Sequence, residues 1–157
     1  MRTPQEAFEK ARLHLRNADH MLTMTYPLVK DPKMLMAIAD NLFKANMEAT
    51  QALLYHERTQ GLPPFHESPD MIIHTFQTSC SKKYNMTTDL ISELQDITSA
   101  RKSAPMEFAR KGMFIIAAQD YTMKTLSEQK LKELVSRSKQ FFSQITQILS
   151  NGNIRSA

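Results

Sequence analysis

Seven positions fix most of what this chain can fold into: Leu35, Ile38, Leu42, Ala45, Ala49, Ala52 and His56 recur at alternating steps of three and four residues. On an α-helix that spacing lines them up on one stripe. Sustained over residues 35–56, the stripe describes a long central helix. Its later seam positions are alanines, which let the backbone of a neighbour come close. Asp31-Pro32 provides the start signal, and Gly61 followed by Pro63-Pro64 provides the stop, leaving residues 61–67 as a loop.

The same reasoning places the other helices around it. Thr3-Pro4-Gln5-Glu6 has the capping-box pattern with proline in the first helical position. Phe8, Ala11, Leu15, Ala18 and Leu22 then form an apolar stripe, which Pro27 is expected to end. Ser68-Pro69-Asp70 opens a shorter helix carrying Met71, Ile72 and Phe76, broken by residues 80–85. Thr87 or Thr88 caps the next, with Leu90, Leu94 and Ile97 inward and an end near Lys102. Ser127 caps the last, whose inward residues include Leu131, Leu134, Ser138, Phe142, Ile145 and Leu149, and Asn151-Gly152 is expected to stop it. Between these, residues 104–126 leave two readings open. Pro105 can start a helical turn through Met106, Glu107 and Phe108; residues 114–116 and 121–125 can instead pair as a small β-hairpin, since Gly112-Met113-Phe114-Ile115-Ile116 has no helical stripe. The expected fold is all-α, an antiparallel helical bundle of about five helices, with a small hairpin near 113–125 as the open alternative. Residues 1–157 read as a single domain, without repeats or linkers.

Composition narrows the function classes. Only three glycines occur in 157 residues, with none in a phosphate-cradling motif, which excludes P-loop nucleotide hydrolysis. No apolar run approaches the roughly 20 residues that span a bilayer, so no membrane partner is expected. The single Cys80 cannot form an internal disulfide, and the first residues lack the layout of a secretory signal, so the expected location is the cytoplasm. Of the eleven methionines, Met21, Met24, Met47 and Met71 sit close to helical stripes and are expected in the core. Tyr26, Tyr84 and Tyr121 lie near element ends, where they can contribute to an interface.

Charge is unevenly distributed. Residues 101–139 hold nine basic and four acidic side chains, a net +5 within a chain of +4 overall. Such a segment can attract phosphate backbones by counterion release. Arg110, Lys111, Lys124 and Lys132 are the candidate nucleic-acid contacts, set against an ordinary solvated face, because several of these lysines interleave with acids at helical spacing.

The candidate ligands and acid–base groups are few. His56, His66, His74 and Cys80 are separated by nine, seven and five residues, without the tight pair that structural zinc sites use, so no metal and no cofactor are expected. His14 and His20 are six apart and point about 120° away from each other on a helix. Arg16 and His20 share a face, which reads as surface polarity. His56 sits on the seam beside Glu57 and Arg58, and a polar cluster of His56, Arg58 and His66 at one end of the bundle is the candidate catalytic site. The competing reading is a partly buried histidine bonded to a loop carbonyl or to Glu57. Cys80 has Lys82 and Lys83 nearby to lower its pKa, but lacks a nucleophile-elbow motif and reads as a structural thiol.

The helix order resembles the HEPN class of small prokaryotic helical proteins, on Ala11-Arg12-Leu13-His14-Leu15-Arg16-Asn17-Ala18-Asp19, then a long alanine-rich helix around residues 45–55, then shorter helices. The resemblance covers the first 60 residues best. It implies a dimer, and in many members a metal-independent ribonuclease using an arginine followed four to six residues later by a histidine near a helix end. This chain departs from that pattern. Arg16 and His20 are too close, Arg58 and His66 are too far apart and separated by a proline loop, and no histidine follows Arg101. The preferred expectation is therefore a non-enzymatic interaction module, binding a protein, itself as a homodimer, or nucleic acid through its basic C-terminal half. The alternative is a HEPN-like ribonuclease with His56, Arg58 and His66 at its site.

Overall fold

The computed structural model describes residues 3–104, 106–118, 120 and 122–155, and it is mostly helical with one small antiparallel sheet. Helix α1 (Pro4–His20) begins with a complete capping box: Thr3 Oγ1 accepts from the Glu6 amide at 3.1 Å, and the Glu6 carboxylate accepts from the Thr3 amide at 3.4 Å. Pro27 does not end the rod. A proline ring collides with the carbonyl four residues back, and the backbone answers by widening into one π-helical turn, Met21–Thr25, closed by the Tyr26 amide on the Met21 carbonyl. Helical structure resumes as α2 (Tyr26–Val29) and stops where Lys30 turns left-handed, at φ 53°.

Helix α3 (Lys33–Thr59) is the central rod the spacing predicts, with Leu35, Ile38, Leu42, Ala45, Ala49 and Ala52 fully buried and His56 largely so. It packs against α1, α4 (Pro69–Ser79), α5 (Asp89–Ser103), α6 (Glu128–Arg155) and the sheet. One polar bridge crosses this interior. Asn46 Nδ2 donates to the Leu42 carbonyl at 2.8 Å and to Ser138 Oγ of α6 at 3.0 Å, and Ser138 donates onward to the Leu134 carbonyl. Pairing of this kind is what makes buried polar groups tolerable. Ser127 caps α6 by accepting from the Lys130 amide at 3.1 Å. The helix then runs through Asn151 and Gly152 to Arg155 instead of stopping there. A lone glycine costs a helix only about 1 kcal/mol and ends it only when it turns left-handed.

The segment after α5 corrects the helical reading of residues 106–108 and extends the hairpin reading. Three strands, β1 (Met106–Arg110), β2 (Met113–Ala117) and β3 (Met123–Leu126), form an antiparallel meander in the order β1-β2-β3. The register sets Phe108 opposite Ile115 and Ile115 opposite Thr125. Lys111 and Gly112, at φ 51° and 75°, make the two-residue turn whose twist suits a hairpin. Pro105 and Tyr121, which figured in the sequence expectations, lie outside the described residues. Met47 is buried and Met21 packs at the core's margin, but Met24 and Met71 are exposed rather than in the core. Among the described residues, no helix is long and apolar enough to cross a membrane.

Candidate functional site

The end of α3 was the expected site, and the structure gives its three residues different surroundings. His56 is buried in the helix's last turns, Arg58 is half-buried, and His66 is exposed on the following loop, where its Nδ1 accepts from the Ser68 amide at 3.2 Å. A hydrogen-bonded cluster forms around the residue between the first two, Glu57. Glu57 is a buried carboxylate that accepts from Lys83 Nζ at 2.9 Å and from the Tyr84 hydroxyl, joining α3 to the turn after α4. Two residues before it, the Tyr55 hydroxyl donates to Glu67, and the Tyr55 ring stacks on Phe65 with centroids 6.2 Å apart. Burial, helped by the adjacent Glu57 carboxylate, pushes the Tyr84 phenol up to about 12, so Tyr84 holds its proton as a donor. Cys80 is fully buried beside this cluster, and burial pushes its thiol up to about 11. The neighbouring lysine does not lower it on balance, because desolvation outweighs an ammonium that is half in water. Glu57, Lys83 and Tyr84 thus form a latch that fastens the α4–α5 connection to the end of α3. Sequence reasoning named Glu57 only as a partner for His56; the signal that could have found it is a glutamate one step from a seam position.

The basic segment resolves into paired and unpaired charges. Arg101 bonds Asp40 at 3.2 Å and Glu107 at 3.3 Å. Lys130 and Arg137 both clamp Glu93, at 2.5 and 2.7 Å, and those two cations hold its carboxyl below the usual range against the opposing effect of burial. Lys132 pairs with Glu128 at 3.3 Å and Lys139 with Asp19 at 2.9 Å. Among the described residues, Lys102, Arg110, Lys111 and Lys124 have no ion-pair partner. The four candidate nucleic-acid contacts do not share one face. Strand alternation and register put Arg110 on the outer face of the sheet and Lys124, level with Ile116, on the inner one, while Lys111 lies in the turn and Lys132 on α6.

That outer face is the least ordinary surface of the molecule. Phe114, Ile116 and Leu126 face the core. The opposite phase of the strands carries the rows Met106–Ala117–Met123, Phe108–Ile115–Thr125 and Arg110–Met113. A solvated sheet face normally alternates to polar residues, yet this one is apolar at six of its eight positions. Met106 and Met123 are 60 % and 63 % exposed, and Ile115 between their rows is buried but stands outside the main core. A surface of this kind offers binding energy and adaptable contacts instead of catalytic groups.

Among the described residues, no cluster of three or more His, Cys, Asp or Glu side chains is arranged to hold a metal ion. Comparison with known protein families, with curated proteins and with solved structures finds no match for this chain.

Proposed function

We propose that this protein is a non-catalytic interaction module: an antiparallel helical bundle that uses the outer face of its β1–β2–β3 sheet to dock an acidic amphipathic segment of a partner protein. The carrying observation is the apolar outer face, with Met106, Phe108, Met113 and Met123 around Ile115. Charge chooses the partner. Arg110 stands on that face and Lys111 at its end, both exposed, and among the described residues no acid lies in the paired rows of the face. A partner bringing carboxylates complements it, whereas a second copy docked face to face would add like charge. Methionines suit such docking because their unbranched side chains adapt to helical ligands.

Nucleic acid is the weaker partner. Base stacking wants aromatic platforms, and Phe108 is the one aromatic residue in the paired rows of this face. The HEPN resemblance enters as a relationship to a binding member of that class rather than to its nucleases, which agrees with the burial of His56. A cytoplasmic location suits the buried, unpaired thiol of Cys80.

The test is a calorimetric titration with a synthetic helical peptide bearing leucines on one face and glutamates on the other, run beside poly-U RNA and sedimentation equilibrium of the protein alone. Micromolar peptide binding is expected, weakening with salt and falling about tenfold in Arg110→Glu/Lys111→Glu. Binding of the RNA alone would transfer the face to nucleic acid, self-association would give it to a second copy, and binding of nothing would remove the reading.

A further inference from the structure

Independently of the sheet, we infer that the groove between α1 and α6 binds a small amphipathic anion, a phosphate or carboxylate head carried on an apolar body. The groove encloses about 330 Å³, at the lower end of the range for small-molecule sites. Its floor is apolar: Phe8 and Phe142 lie with ring centroids 5.5 Å apart, beside Leu15. Its walls are cationic. Arg12 and Arg16 stand one turn apart on α1, Lys139 faces them from α6, and Ser143 and Thr146 continue the α6 wall at helical spacing.

Three features favour an anion there. Arg12 and Arg16 are like charges at i,i+4, an arrangement that destabilises a helix and that a bound anion reverses. Arg16 has no ion-pair partner among the described residues. Arg12 lies over the Phe8 ring at 6.0 Å and holds only the exposed Glu9, at 3.2 Å, a pairing weak enough to be exchanged for a ligand. The one acid lining the groove, Asp19, is already neutralised by Lys139 at 2.9 Å. The head group would therefore meet two guanidinium forks, which suit the planar edge of a carboxylate or two phosphate oxygens. The apolar body would lie along Leu15 and the two phenyl rings. The small volume limits that body to a single ring or a short chain.

The test is an amide NMR titration of the intact protein with phenyl phosphate and with benzoate, beside inorganic phosphate and benzyl alcohol, which carry only the head or only the body. Phenyl phosphate or benzoate is expected to shift resonances of Phe8, Arg12, Arg16, Phe142 and Thr146. Whichever of the two binds more tightly identifies the head group. Inorganic phosphate and benzyl alcohol are each expected to bind at least about tenfold more weakly. Arg16→Ala, an exposed change that leaves the core untouched, is expected to weaken binding about tenfold or more, while Lys102→Ala, at an exposed cation of α5, leaves it unchanged. Four outcomes would overturn the inference: inorganic phosphate binding as tightly as phenyl phosphate, shifts scattered over surface cations, affinity indifferent to Arg16→Ala, or no shifts at millimolar probe.

Discussion

The helices around α3 and the three-stranded sheet handle their apolar side chains differently. On α3 the oily positions follow the helical period, and each finds a neighbour on α1, α4, α5, α6 or the sheet. On β2 the run Met113-Phe114-Ile115-Ile116-Ala117 is apolar in both phases of the strand, and only the Phe114–Ile116 phase meets the core. The apolar stripe of α3, Leu35 to Ala52, is wholly buried in that packing. The sheet has more apolar surface than the core takes up, and that surplus, rimmed by Arg110 and Lys111, is what we read as a docking face.

The sharpest way to break this contrast is to truncate one residue from each region. Leu53→Ala, at a fully buried α3 position, is expected to cost about 2–5 kcal/mol in urea unfolding. Met123→Ser on the outer face is expected to stay within about 0.5 kcal/mol. A large loss from the second would mean that the face belongs to the fold. Next in size is the latch. Glu57→Gln removes the carboxylate that holds Lys83 and Tyr84, and a loss of about 1–3 kcal/mol is expected. An unchanged unfolding midpoint would show that the α4–α5 connection is held by packing alone.

Alkaline pH probes the same region. The folded thiol of Cys80 keeps its proton up to about 11 against an ordinary 9.0, and Tyr84 keeps its own up to about 12 against 10.0. Between those limits the unfolded chain has released protons that the folded one retains, so the unfolded state gains as pH rises. Stability from these groups is complete below pH 9 and is lost through the pH 9–12 window. Cys80→Ala should flatten the earlier part of that decline in unfolding measured at successive pH values; an unaltered slope would mean that the thiol is not desolvated.

The smallest effects belong to the β1–β2 turn. Gly112→Ala, forced to keep φ 75°, is expected to cost about 1 kcal/mol, and Lys111→Asn to gain a few tenths, because asparagine tolerates the left-handed conformation better than lysine. The reverse order would mean that the turn is not built as described.

Much of the helical part was legible because the spacing of Leu35 to Ala52, the Thr3–Glu6 box and the Ser127 cap are local signals obeyed locally. Pro27 misled because the chain keeps its helix by inserting a π turn, a remedy invisible in composition. A helical turn over residues 106–108 is one of two open readings of the sequence because Met and Glu are good helix formers, and the pairing with β2 overrides that preference. The site was less legible than the fold. His56, Arg58 and His66 drew attention by residue type, whereas Glu57 acts through partners more than twenty positions away, and the basic segment looked uniform until its ion pairs were assigned. The groove between α1 and α6 joins residues over a hundred positions apart, and no local pattern announces it.

The most direct test of the central claim follows the methionine methyl groups by NMR while the acidic amphipathic peptide is added. Met106, Met113 and Met123 are expected to shift together and saturate, while the buried Met36 and Met47 stay still. Shifts at Met36 and Met47, or none on the sheet at saturating peptide, would contradict the assignment of that face to a partner.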